Sequence, residues 1–129
     1  LQDILLAYLI GRSHVGMRAD DISEWVSFLK SYRGSNEQAP KLNLVAIGEA
    51  AIPALHAAAI EPGSFQSIRL RNMIRSWAEV VGATDNHNQL VNVAHGALKH
   101  YDLPDLVDLV GAEKISLEDP VDVMGKPSR

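Results

Sequence analysis

The sequence predicts an all-α domain in which antiparallel helical hairpins stack side by side, and three observations predict it. Aromatic residues make up only 5% of the chain and the β-branched residues are scattered rather than massed in alternating runs, so little reads as strand. Gly16, Gly48, Gly82 and Gly111 stand 32, 34 and 29 residues apart, and each precedes a helix start, a spacing suited to stacked helix pairs. The apolar run Val45 to Ala59 contains Gly48 and Pro53. In one continuous helix the two would cost about 4 kcal/mol, so the expectation is two helices, one closed by Gly48 and one with Pro53 in its first turn. An irregular helical bundle is the alternative, because glycine caps are common.

The elements follow in order. Leu1 to about Arg12 is apolar on nearly all sides and reads as a buried helix. Asp21-Ile22-Ser23-Glu24 has capping-box spacing, and Ile22, Trp25, Val26, Leu29 and Tyr32 recur at helical intervals toward Gly34. Arg33 to Pro40 is polar and turn-rich, a long loop. Lys41 to Ile47 is expected to form a short helix, and Glu49 or Ala50 to Ile60 the next, stopped by Pro62-Gly63. Ser64 caps an expected long helix from Phe65 to Val81, and Thr84-Asp85-Asn86 caps another that runs to Tyr101. Asp102 and Pro104 open a short helix that Gly111 closes. The reading is therefore a single all-helical domain over 1–113, with 114–129 as an extended or mobile tail.

Composition bounds the function. The net charge of −4, from 16 acidic and 12 basic residues, does not favour a polyanionic partner. The absence of cysteine excludes a disulfide framework and thiolate metal sites, and the expected location is the cytoplasm or another reducing intracellular compartment. The apolar run Ile4 to Ile10 is too short to span a bilayer and lacks a basic flank before it, so no membrane association is expected. A chain that opens on Leu1 is read as a trimmed or excised piece of a longer protein.

The stretch Leu44-Val45-Ala46-Ile47-Gly48-Glu49-Ala50-Ala51-Ile52-Pro53-Ala54-Leu55 resembles the joint of bacterial HEAT-like repeats, where one helix ends in an aliphatic-Gly stop and the next opens with aliphatic-Pro-Ala-Leu. The match weakens toward Gly111, since no proline follows Gly82 at the corresponding place. The resemblance implies a short α-solenoid, a fold used mostly as a binding scaffold. It implies no catalytic residues.

Candidate site residues are few. The histidines His14, His56, His87, His95 and His100 show neither the i, i+4 pair with an intervening glutamate nor a cysteine companion that a zinc site would need, so neither metal nor cofactor is expected. No GxSxG, phosphate-cradling glycine loop or dinucleotide fingerprint occurs, which makes a catalytic role the less expected one. The leading expectation is a non-catalytic interaction or scaffold module that binds a protein partner in a helical groove lined by His56, Asn92 and His95. Arg71 and Arg75, placed on one side of the expected long helix, would grip a partner carboxylate or a nucleic-acid backbone. Asp105 and Asp108 belong to an acidic surface facing a basic partner, Asp105 also suiting a helix start. A small helical enzyme or ligand-binding domain using Trp25, Trp77 and a buried histidine is a further alternative. The Leu1 to Ile10 helix is a candidate for self-association.

Overall fold

Leu42–Ile47 and Phe65–Arg71 are strands, not helices, and they turn the expected all-α solenoid into an α/β fold. The structure, a computed structural model, describes residues 2–33 and 37–128. Helices α1 (Gln2–Leu9) and α2 (His14–Ser31) come first, then β1 (Leu42–Ile47), α3 (Ala51–Ile60), β2 (Phe65–Arg71), α4 (Trp77–Gly82), α5 (Leu103–Val110) and β3 (Ile115–Glu118). The three strands form one parallel sheet in the order β1-β2-β3.

The irregular helical bundle falls with the solenoid, and for the same physical reason. In Leu42-Asn43-Leu44-Val45-Ala46-Ile47 the residues Leu42, Leu44 and Ala46 are sheltered while Asn43, Val45 and Ile47 are exposed, which is the two-residue period of a strand. Leu44 pairs with Ile68 and Ala46 with Leu70, so the sheltered rows of the two strands coincide. The expected helix Phe65 to Val81 is divided: β2 ends at Arg71, Asn72 adopts φ 53°, and only Trp77–Gly82 is helical. The expected helix ending at Tyr101 is two short 3₁₀ turns, Gln89–Asn92 and Ala97–Lys99, separated by Gly96 at φ +75°. In the segment expected to be an extended or mobile tail, Ile115–Glu118 pairs with β2.

Other local readings fare differently. Helix α2 begins at His14, seven residues (about two turns) before the expected Asp21, because Ser13 Oγ accepts the Gly16 N–H at 2.9 Å and caps it there. Gly16 consequently lies inside a helix and stops nothing. Leu1 and Gly34, placed at the ends of expected helices, lie outside the described residues. Pro53 is the third residue of α3, in its first turn as anticipated. Asp102 and Asp105 form a reciprocal capping box on α5, and Gly111 closes that helix at φ +102°.

A parallel sheet of order 1-2-3 has two crossovers moving in the same direction, which places their helices on one face. Accordingly, α3 packs on β1 and β2, and α5 packs beside α3. Helix α2 covers another side of α3. Enclosed by sheet, α2 and α5, α3 buries Ala51, Ile52, Pro53, Ala54, Leu55, Ala57 and Ala58. This explains its alanine-rich sequence: small side chains let three elements approach one helix closely. The opposite sheet face carries Asn43, Val45, Ile47, Ser67, Arg69, Arg71, Ser116 and Glu118, tied by an Arg71–Glu118 ion pair at 3.2 Å and by the Ser67 hydroxyl donating to Asn43 at 2.8 Å.

Candidate functional site

All three strands leave the sheet through a residue with positive φ. Gly48 follows β1 at φ +62°, Asn72 follows β2 at 53° and Asp119 follows β3 at 46°. The left-handed region is open to glycine and, among other residues, chiefly to Asn and Asp, so each exit is matched by residue type. Three sharp exits at one edge stop the strands together and leave a cleft of about 270 Å³ beyond their carboxyl ends. Its walls include Gly48, Glu49, Asn72, Asn88, Gln89 and Asn92.

The far wall is built by two segments with little regular structure. The Val123 carbonyl accepts from the His87 N–H at 2.9 Å and from Gln89 Nε2 at 3.2 Å, fastening the 87–92 turn to the chain after β3. Gln89 is buried and passes the network on, accepting from Asn92 Nδ2 at 3.0 Å. Asn88, itself left-handed at φ 54°, donates from Nδ2 to Glu49 Oε1 at 2.6 Å. Asn72 donates from its side-chain amide to the Asp119 carbonyl at 3.1 Å and holds the exits of β2 and β3 together. Asn92 Oδ1 is buried with no hydrogen-bond partner among the described residues, an unusual condition for a buried carbonyl oxygen.

Behind this wall lies an aromatic cluster. Trp77 donates its indole N–H to the Asn92 carbonyl at 2.8 Å, and its ring lies 5.5 Å from that of His56 and 5.6 Å from that of Tyr101. His56 is hydrogen-bonded through Nε2 to the Tyr101 hydroxyl at 3.0 Å and through Nδ1 to the Ile52 carbonyl at 2.8 Å. Burial lowers the His56 pKa below its ordinary value, against the opposing hydrogen bond to Ile52, and burial raises that of Tyr101. Neutral His56 therefore donates from Nδ1 to Ile52 and accepts the Tyr101 hydroxyl proton at Nε2. At the base of the cluster, burial opposes ionisation of Asp102. The hydrogen bonds it accepts from the Ser76 hydroxyl and the Trp77, Leu103 and Ala78 N–H groups outweigh that, and its carboxyl sits below the usual range.

The residues singled out from the sequence are dispersed. His56 and Asn92 both contact Trp77, but His56 is held inside the cluster rather than lining a groove. His95 is exposed, with its ring edge-on to Tyr8 at 6.1 Å. Arg71 lies on the open face of the sheet, ion-paired with Glu118 and with Asp119 at 3.2 Å. Arg75 stands in the link after β2, so the two arginines are not one helical pair. Asp105 accepts from the Asp102 N–H at 2.8 Å, and Asp108 is exposed one turn later on α5. Among the described residues no group of three His, Cys, Asp or Glu side chains is placed to hold a metal ion. No helix among them is long and apolar enough to cross a membrane.

Glu49, Asn72, Asn88 and Gln89 were not legible as site residues. The signal present was a turn-former, Gly48 after the apolar run ending at Ile47 and Asn72 after the mixed stretch Phe65 to Arg71, and it acquires meaning only once those stretches are strands. No family model, curated protein or solved structure matches the chain.

Proposed function

We propose that this chain is a ligand-binding α/β domain that seats a small polar molecule at the carboxyl edge of its sheet. The observation that carries the reading is the convergence of three left-handed strand exits, Gly48, Asn72 and Asp119, beside a cleft walled by amide side chains. Concave sites where a few polar groups converge are where small molecules bind, and the strand exits bring such groups together here. Amide side chains both donate and accept, which suits a hydroxyl- or amide-bearing ligand better than an apolar one. Titration of a panel of sugars, polyols and small amides, followed by NMR, tests it. Binding should shift the Gly48, Asn72 and Asn92 resonances, and Asn72→Gly, which keeps the left-handed exit but removes the amide, should weaken it. A panel that leaves those resonances unmoved refutes the reading.

Interaction with a protein partner is a second reading, favoured by the outward face of α2 and by α1. Trp25 is 66% exposed and meets Phe28 edge-on at 5.8 Å, beside Asp21 and Glu24 in a shallow hollow. Leu5, Leu6 and Leu9 of α1 are exposed as well. Aromatic side chains with an acidic rim suit a basic partner segment, and the α1 leucines suit a second copy of the chain. Affinity capture from the native host, compared with a Trp25→Ala, Phe28→Ala variant, tests the first. Sedimentation at several concentrations with and without Leu9→Ser tests the second.

A further inference from the structure

A second hollow, of about 340 Å³, adjoins the carboxyl-edge cleft on the other side of Glu49 and Asn88 and is formed where α1 and the start of α2 meet the turn after β1. Asp3, His14, Arg18, Glu49 and Asn88 supply its polar walls. His14 and Arg18 are four residues apart on α2 and so share one side of that helix. Three of these groups are uncommitted. Among the described residues Arg18 and Asp3 enter no ion pair, and His14 Nδ1 is buried without a hydrogen-bond partner. Glu49 accepts one bond, from Asn88, and keeps lone pairs for another donor.

We propose that this hollow binds a small zwitterion, an amino-acid-like molecule with a free carboxylate and a free ammonium. Arg18 supplies a planar guanidinium for the carboxylate. Asp3 and Glu49 supply acceptors for the ammonium, and His14 forms part of the wall beside them. The charge arrangement also decides against other ligands. A phosphate or other dianion would face two carboxylates, and a polyamine, although it meets those carboxylates, would leave the Arg18 guanidinium without an anionic partner. The volume lies near the lower end of small-molecule sites, which fits a free amino acid or a dipeptide. The site is separate from the carboxyl-edge cleft, although the two share a wall, and it stands whether or not that cleft is occupied.

The test is a titration of the full chain with the free proteinogenic amino acids and simple dipeptides, followed by NMR. Binding should shift the His14 and Arg18 resonances while leaving Asn72 and Asn92 in place, which separates this site from the cleft. For a compound that binds, its N-acetyl and its carboxamide derivatives should each lose about tenfold or more in affinity, the worth of one charge-assisted contact. Arg18→Gln should remove the preference for a free carboxylate and Asp3→Asn should weaken the preference for a free ammonium, with denaturation midpoints near the wild-type value. If no compound in the panel shifts His14 or Arg18, or if blocked derivatives bind as well as their parents, the proposal is wrong.

Discussion

The side-chain amide of Asn88 donates to Glu49 Oε1 at 2.6 Å, and this pair forms the wall common to the two hollows beside the sheet. Glu49 is placed by the turn that follows β1, and Asn88 by a left-handed residue at the start of a 3₁₀ turn. Two segments 39 residues apart thus meet at one hydrogen bond. Because Asn88 holds φ 54°, its backbone and its side chain are separable by mutation. Asn88→Ala should cost about 1 kcal/mol, because alanine lacks the short polar side chain that lets asparagine tolerate the left-handed region, whereas Asn88→Gly, free of any Cβ there, should remain within about 0.5 kcal/mol of wild type. Urea midpoints of the two variants check this, and equal losses would place the cost in the Glu49 contact instead.

Stability should decline on mild acidification because of His56. Its pKa is lowered in the folded chain by burial, so below the ordinary value of 6.5 the unfolded chain takes up a proton that the folded one does not. The contribution is present above that value and is lost as pH falls through the folded pKa. The urea midpoint of wild type should drop between about pH 7.5 and pH 5.5 more than that of His56→Gln, which has no ring nitrogen to protonate. Parallel pH profiles for the two proteins would remove His56 from the explanation.

Asp102 joins α4 to α5, since its carboxylate caps α5 at the Leu103 N–H and also accepts the N–H groups of Trp77 and Ala78 at the start of α4. Asp102→Ala should cost about 2–4 kcal/mol by removing a cap and stranding partly buried donors, against about 1 kcal/mol for Asp105→Ala. Chemical denaturation measures both. The Asp102 pKa is lowered relative to 3.8, so its contribution holds above that value and disappears as pH falls through the folded pKa.

The strand assignment of Leu42–Ile47 makes its own prediction, because a two-residue period separates neighbours. Leu44→Ala, on the sheltered row that packs against the core, should cost about 1–3 kcal/mol. Val45→Ser, on the open face of the sheet at 59% exposure, should change stability by only about 0.5 kcal/mol. A large loss at Val45 in thermal or urea unfolding would mean that another layer covers that face.

Helix ends were the legible part of this fold because they are local. Pro53 in the first turn of α3, the Asp102–Asp105 capping box and Gly111 at the end of α5 each depend on residues within one turn, and the sequence contains all of them. The stretch Leu44 to Leu55, read as a helical-repeat joint, divides in the structure. Its second half is a helix with proline in the first turn, but its first half, Leu44 to Ile47, is strand. The glycine period misled because Gly48 ends a strand and Gly16 lies within a helix.

The chain by itself determined where helices α3 and α5 begin and that an alanine-rich helix lies between Gly48 and Pro62. Only the tertiary structure decided that Leu42–Ile47 and Phe65–Arg71 are extended, since parallel strands make no hydrogen bonds to their own neighbours and Leu44 meets its partner at Ile68. A six-residue apolar run is compatible with either state until that distant partner is in place. The cleft followed from the same decision: Gly48, Asn72 and Asp119 converge because pairing aligns three strand ends that are far apart in the chain.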